Sequence, residues 1–488
     1  MNHFPNKINN LLSTKFHETD TSIGIVKTEF PLSSGDESLK HSSKQPKSDF
    51  FRNQIFRRFH QIVGGNLKVV DQLGSMQSVG SNDPTEDLPA TVVVGDQKFY
   101  KRVMIGGTIG SAESYANSEW VSNDLTSLIR IMIRNLDQFS RIEKTWGWLK
   151  NSWNFVQHMM RRNTISGSQK NIHEHYDLGN DFYQLFLDPT MNYSSGIFES
   201  PDADADDANK MHEASIRKMD QVCRKLRLNS LDHVLEIGTG WGGLAVHMAK
   251  TSGCRVTTTT ISKEQHRFAV ERVRKEGLED RVTVLLQDYR LLTGKFDKIV
   301  SIEMIEAVGH QFYDEYFSRC SDLLRDDGVM LLQSITIGEQ NYKYHIRHVD
   351  FIRKYIFPGG CLPSVTALSN AVGRSTDMRM LSQEDITPHY VKTLAYWRRE
   401  FMNRIDEVRA LGYDEPFVRF WHFYLCYCEA AFAERRVHNI HIMYCKPKCK
   451  IDPVNDFGQP LRASISEDAD TAECSIAPQP FISGKLSL

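Results

Sequence analysis

The 488-residue chain has no excess charge of either sign, no paired cysteine spacing and no long apolar run. Each absence excludes a class. Lysine and arginine number 59 against 61 acidic residues, so no global field points to nucleic acid and any basic surface is local. Nine cysteines are scattered along the chain, and an odd number cannot all pair internally, which argues for a reducing compartment and against a disulfide scaffold. No apolar run reaches the ~20 residues of a membrane span. The opening MNHFPNKINNLLSTKF lacks the apolar core of a signal peptide, so a cytoplasmic protein is expected. No repeat at solenoid periods is found. With 40% hydrophobic and 25% charged residues, what is left is an ordinary globular balance with length for two or three domains.

Residues 1–60, including SSGDESLKHSSKQPKSD, and residues 451–488, ending ISEDADTAECSIAPQPFISGKLSL, are polar and predicted to be disordered. Between them two units are expected. In the first, 61–165, ATVVV and KFYKRVMI read as strands, Gly106-Gly107 as a turn, and SEWVSNDLTSLIRIMIRNLDQF carries apolar residues at helical spacing, giving a small α+β module. In the second, 166–450, apolar strands (HVLEI, RVTTTTI, RVTVLL, KIVSIEM, VMLLQSI) alternate with amphipathic helices such as KEQHRFAVERVRKEG. This pattern predicts an α/β fold, a doubly wound and mostly parallel sheet covered on both faces. Ligands in such sheets lie outside the carboxyl ends of the strands.

One of those ends carries VLEIGTGWGGLAVHMAK, with Gly238, Gly240 and Gly243 at G-x-G-x-x-G spacing. Glycines admit close backbone approach and the helix behind them offers unpaired N–H groups, so a nucleotide-like ligand is indicated over glycines kept for packing alone. A dinucleotide would want an acid about 20 residues on for its ribose. Thr258-Thr259-Thr260-Ile261-Ser262 stands there instead. Glu236, just before the glycines, suits a cationic ammonium, and Asp288-Tyr289 after the third strand suits an adenine; together they fit an aminoacyl nucleoside.

Six stretches in order, HYDLGNDFYQLFLDPTMNYSSGIF, VLEIGTGWGG, TTTTISKEQ, KIVSIEMIEAVG, YIFPGGCLPS and YVKTLAYW, resemble the cyclopropane-fatty-acyl-phospholipid synthase family, which includes the mycolic acid methyltransferases. GGTIGSAESYANSEWVSNDL further resembles the amino-terminal domain of its longer, phospholipid-acting members. The resemblance implies a Rossmann-like methyltransferase with S-adenosylmethionine as methyl donor. Its implied contacts are Tyr193, Ser194, the Val234–Gly242 turn with Glu236, Gly238, Gly240 and Gly242, then Thr260, Ser262 and Gln265, then Asp288, Tyr289 and Arg290, with Gln265 in the ribose role. It also implies bicarbonate as base or relay, held by Glu306, Tyr390 and the backbone at Ile335, and Cys428 as a catalytic thiol. Two positions depart from the family pattern: Ser195 stands where many members have Cys, and Gln333 where they have His. Both can hydrogen-bond an anion, but neither brings a thiol or an imidazole.

Several of these residues also have plainer readings. Glu306 could start a helix, Tyr390 could be an amphipathic core residue, and Cys428 falls in a Trp421, Leu425, Cys428, Phe432 stripe at core spacing. His438, His441, Cys445 and Cys449 lie close in sequence, but RRVHNIHIMYCK alternates as a strand and sends the two histidines to opposite faces, which argues against a metal site. Residues 141–170 interleave Trp146, Trp148, Trp153 and Phe155 with basic residues, as a segment meeting an anionic membrane would, or a solvated helix joining two domains. ESPDADADD at 199–207 reads as a solvated loop. The expected partners are unsaturated phospholipid acyl chains at the inner face of a membrane, with no nucleic acid and with a homodimer as the candidate assembly. A cyclopropane is the expected product, and a methyl or methylene branch, a nonenzymatic lipid-binding module and a nicotinamide dehydrogenase are the alternatives.

Overall fold

A computed structural model describes residues 47–136 apart from 73, 75 and 81–87, residues 178–200, and residues 208–451. The amino-terminal unit contains helix α1 (Lys47–Phe59), strands β1 (Asn66–Asp71), β2 (Met76–Gly80) and β3 (Pro89–Val94), helix α2 (Lys98–Ala116), strand β4 (Trp120–Ser122) and helix α3 (Leu125–Arg134). Its sheet has the order β2-β1-β3-β4, with β1 and β3 parallel and the outer pairs antiparallel. The unit begins before residue 61, because α1 buries Ile55, Phe56 and Phe59 at helical spacing in its core.

KFYKRVMI, expected as strand, is helical and opens α2, where Phe99 and Tyr100 are buried side by side. The glycine pair behind it is a kink within the helix, with Gly107 at φ 52°. The two halves press together so closely that a Cβ on Gly110 would lie 2.1 Å from the Arg102 carbonyl oxygen.

The second unit runs α4 (Ala208–Leu226), β5 (His233–Ile237), α5 (Gly243–Ser252), β6 (Arg255–Thr260), α6 (Lys263–Lys275), β7 (Val282–Leu286), β8 (Phe296–Ile302), α7 (Tyr313–Leu323), β9 (Leu324–Ile337), α8 (Val365–Ser375), β10 (Arg379–Asp385), α9 (Thr387–Asn403), α10 (Glu415–Ala433) and β11 (Val437–Cys445). The seven strands lie in the order β10-β11-β9-β8-β5-β6-β7. β7, β6, β5, β8 and β9 are parallel, and β11 and β10 close the edge antiparallel, as expected for a doubly wound sheet. The chain leaves β5 toward β6 and β7 and returns on its other side as β8, so the switch point lies between β5 and β8.

Helix α10 joins the two units. Arg419 donates from Nε to the Tyr115 carbonyl (2.6 Å) and from Nη2 to the Trp120 carbonyl (2.9 Å), with its guanidinium 4.1 Å from the Tyr115 ring centroid. Arg130 and Arg134 of α3 both pair with Glu434, at 2.7 and 2.8 Å. Among the described residues no helix is long and apolar enough to cross a membrane. The 141–170 segment, the 199–207 run from 201 onward, and the predicted disordered tails 1–60 and 451–488 apart from 47–60 and 451 lie outside the described residues; 47–59 forms α1 rather than disordered chain.

Candidate active site

The glycine turn follows β5 at the switch point. Gly238 (φ 104°) and Gly240 (φ 52°) take the left-handed backbone that side chains resist, and Gly242 (φ 81°) caps α5 with no side-chain partner. A Cβ on Gly243 would lie 2.6 Å from the Thr190 carbonyl oxygen, which ties this turn to the segment leading into Tyr193 and Ser194. Glu236 is buried and accepts a hydrogen bond from Thr258 Oγ1 (2.5 Å). Burial pushes its carboxyl up to about 8, against the opposing pull of the Thr258 hydrogen bond and the Lys218 charge. Buried Lys218 of α4 donates to Ser194 Oγ (3.0 Å), and burial pulls its ammonium down to about 8. Gln265 accepts from Thr260 Oγ1 (3.0 Å), while Ser262 caps α6 by accepting from Gln265 N–H (3.3 Å). Asp288 is engaged by Arg290 through Nε and Nη2 (2.8 and 2.7 Å), so the expected adenine-side acid is half of an ion pair whose neighbour is the Tyr289 ring.

Tyr193, Ser194, Glu236, Gly238, Gly240, Thr260, Gln265, Asp288, Tyr289 and Arg290 line one cavity of about 570 Å³. Ser262 and Gly242 stand behind it and shape the turns. The glycines leave room for a ligand, the acid before them is desolvated, and a polar side chain replaces the ribose acid. These residues fit S-adenosylmethionine.

Of the candidate catalytic residues, Glu306, Ile335, Tyr390 and Cys428 line the same cavity, while Ser195 and Gln333 are fully buried outside its lining. Glu306 stands in the first turn of a short 3-10 helix (Ile305–Ala307), and its side chain reaches β9, where its Oε1 accepts from Ile335 N–H (2.5 Å) and Ser334 Oγ (3.0 Å). Its Oε2 is buried with no partner among the described residues, and burial, aided by the charge of Glu303, pushes this carboxyl up to about 8. Tyr390 stacks on Phe432 (4.4 Å between centroids) and donates its hydroxyl to Glu303 Oε2 (2.8 Å). Gln333, fully buried on β9, donates from Nε2 to Glu303 Oε1 (2.7 Å). Ser195 turns its hydroxyl to the Gly196 carbonyl (2.9 Å) and instead points its backbone N–H at Glu303 Oε1 (3.4 Å).

Of the groups assigned by resemblance to bicarbonate, Tyr390 and Gln333 donate to Glu303 and the Ile335 N–H to Glu306, so these three donors are engaged by carboxylates of the chain and are not free to hold a separate anion. Their centre is Glu303, which the sequence reading missed. Its signal was its place at the carboxyl end of β8, three residues before Glu306. Lys218, Asn439 and His441 were also missed as site residues: Asn439 Nδ2 donates to Glu303 Oε1 (2.7 Å), and His441 faces Gln333.

Away from the glycines the cavity becomes apolar, between Ile129, Met132 and Ile133 of α3 and Tyr427, Cys428, Ala431 and Phe432 of α10. Burial pushes the Cys428 thiol far above its ordinary value, which suits an uncharged wall rather than a thiolate nucleophile. A slot this apolar, opening on a cofactor turn, takes a hydrocarbon chain.

Comparisons with known proteins agree with this geometry. The sequence profile of mycolic acid cyclopropane synthetase matches residues 164–442. The chain is 36% identical over 356 residues to the tuberculostearic acid methyltransferase UfaA1 of Mycobacterium tuberculosis, covering 73% of this chain and 82% of the relative. It is 34% identical over 385 residues to the cyclopropane-fatty-acyl-phospholipid synthase of Escherichia coli, covering 78% and 93% respectively. Among solved structures, the mycolic acid cyclopropane synthase CmaA1 complexed with SAH and CTAB superposes with a TM-score of 0.52 at 30% identity, over 57% of this chain and 98% of that one. A match running from the segment before Tyr193 through β11 takes in the cofactor turn, Glu303 and its donors: the chain belongs to the mycolic acid cyclopropane synthetase family and is an S-adenosylmethionine-dependent methyltransferase.

Proposed function

We propose that the enzyme transfers a methyl carbon from S-adenosylmethionine to the cis double bond of an unsaturated acyl chain of a membrane phospholipid and closes a cyclopropane ring. The observation that carries this reading is the junction in one cavity of the glycine turn, the apolar slot and a buried carboxylate with its donors. S-adenosylmethionine supplies an electrophilic sulfonium methyl. The chain supplies what an unactivated alkene needs around it. Tyr193, Tyr424 and the slot wall exclude water that would quench charge developing on the alkene. Glu236 holds the ammonium end of the donor, and a group near the methyl accepts the proton that ring closure releases.

Phospholipid as carrier is supported by the Escherichia coli relative, whose name states that substrate class and whose match extends into the amino-terminal module. The basic, tryptophan-rich segment 141–170 supports work at a membrane surface. The second reading, a methyl-branched product, is favoured by the likeness to tuberculostearic acid methyltransferase and by a Ser195 hydroxyl that faces its own backbone.

The test is to incubate the purified full chain with methyl-labelled S-adenosylmethionine and vesicles of monounsaturated phospholipid, then to examine the released fatty acids by mass spectrometry and proton NMR. Label with upfield ring protons is expected. Label without a ring moves the product to the branched class, and no label despite cofactor binding defeats the lipid assignment.

A further inference from the structure

Glu303 is the one site carboxylate on which donors from three separate elements converge: Gln333 from β9, Asn439 from β11 and Tyr390 from α9. Its backbone sits at φ 48°, a left-handed conformation that a side chain adopts only at a cost of about 1–2 kcal/mol. A strained residue held by three side-chain donors is over-determined by its surroundings. The acid thereby occupies two side-chain donors, Gln333 and Tyr390, that the family resemblance points toward an exchangeable anion.

The donors are themselves oriented by a buried chain behind them. Lys225 of α4 pairs with Glu384 and donates to His441 Nδ1 (2.8 Å). An ammonium only donates, so Nδ1 accepts and the ring proton is on Nε2. Nε2 therefore donates to Gln333 Oε1 (2.9 Å), which leaves the Gln333 amide nitrogen facing Glu303. Burial and the Lys225 and Lys218 charges hold His441 well below its ordinary value, so it stays neutral and keeps this polarity. The hydrogen bonds from Lys225 to His441, from His441 to Gln333 and from Gln333 to Glu303 all point the same way, toward the carboxylate.

We propose that Glu303 is the enzyme's built-in proton acceptor, replacing a diffusible anion, and that Lys225 and His441 are positioning residues that act on it through Gln333. The inference rests on the methyl-transfer reading. The alkene electron pair forms the carbon–carbon bond to the methyl carbon as the C–S bond breaks, leaving a neutral thioether. A C–H bond of the added methyl then breaks, its electrons closing the ring and its proton passing to Glu303. That proton leaves to water once the product departs.

The charged and titratable groups facing Glu303 are Lys218 from α4, Glu306 from the following turn and Tyr390 from α9. Burial raises the Glu303 carboxyl, and its three donors together with Lys218 oppose that rise. Burial thus strengthens the carboxylate as a proton acceptor while its donors keep the ionised form accessible.

The test uses the full chain in carbon-dioxide-free buffer with and without bicarbonate or formate. Wild-type transfer is expected to be independent of either anion. Glu303→Gly, which also relieves the left-handed backbone, is expected to lose roughly 100-fold or more of kcat, the scale of a lost general base. Added formate should restore part of it with saturation. Glu303→Gln, closer in shape, should show the same loss without rescue and with unchanged binding of S-adenosylhomocysteine. Independently of turnover, formate should raise the melting temperature of ligand-free Glu303→Gly and not of wild type.

His441→Phe should lower kcat with KM unchanged and move the acid limb of the pH profile to higher pH, because Glu303 loses an aimed donor. A wild type that stops without bicarbonate, or a Glu303→Gln variant that keeps its turnover, overturns the assignment. If wild type labels no lipid, it is the reaction that fails, and the formate shift still decides whether this donor set is an anion seat filled by Glu303.

Discussion

The proposed role of Glu236, holding the ammonium of the methyl donor, would couple cofactor binding to protons. In the free protein its carboxyl is pushed up to about 8 by burial, and the donor's ammonium needs the carboxylate. Below pH 8 binding must therefore expel a proton, so affinity for S-adenosylmethionine falls as pH falls, by up to about tenfold per unit. Lys218, pulled down to about 8, works in the same direction, since its charge at lower pH repels an incoming cation. Calorimetry between pH 6.0 and 7.5 should show binding that tightens with pH and releases protons to the buffer. Glu236→Gln should flatten the slope and weaken binding roughly tenfold or more at the upper end, the size of a charged hydrogen bond. A variant with the full slope retained would place the titration on Lys218 instead. Glu236 could be found in the sequence because it abuts the glycines. Glu303 carried only a positional signal: IEMIEAVG offers two acids three residues apart, and the choice between them depends on Gln333, Tyr390 and Asn439, which meet only in the folded chain.

At the scale of elements, the parallel strands could be read because each is an apolar run closed by a turn, and β11 because its alternation is that of a strand. α2 was misread where it opens. KFYKRVMI has strand-like composition, and what makes it a helix is packing: Phe99 and Tyr100 bury together, and α2 lies against α10, a partner some 300 residues away. Arg419 fastens that contact by donating to the carbonyls at the end of α2 and in β4. Arg419→Ala should leave both carbonyls short of a donor and remove a cation–π contact, destabilising the joined fold by about 1–3 kcal/mol. Hydrogen exchange should locate the loss, with faster exchange in α2 and β4 and unchanged protection in β5 and β8. Uniform loosening of the whole chain would mean that the two units share one cooperative core and that Arg419 is not a local fastener.

At the scale of the whole molecule, the cofactor and the hydrocarbon slot are built by different units. The glycine turn and Glu303 come from the doubly wound sheet, while one wall of the slot is Ile129, Met132 and Ile133 on α3 of the amino-terminal module. Substrate choice should therefore be separable from methyl-donor binding. Met132→Trp narrows the slot without touching the glycine turn, Glu236 or Gln265. Because large side chains in an apolar slot discriminate mainly by exclusion, and each displaced methylene forfeits about 0.8 kcal/mol of burial, the variant should discriminate against acyl chains that reach deepest. Competition between phospholipids carrying shorter and longer monounsaturated chains should shift kcat/KM toward the shorter by roughly tenfold, with S-adenosylhomocysteine affinity unchanged. An equal loss on both chains would mean that the acyl group enters past α10 alone and that the amino-terminal module only presents the lipid; a loss of cofactor affinity would mean that α3 helps hold the cofactor turn itself.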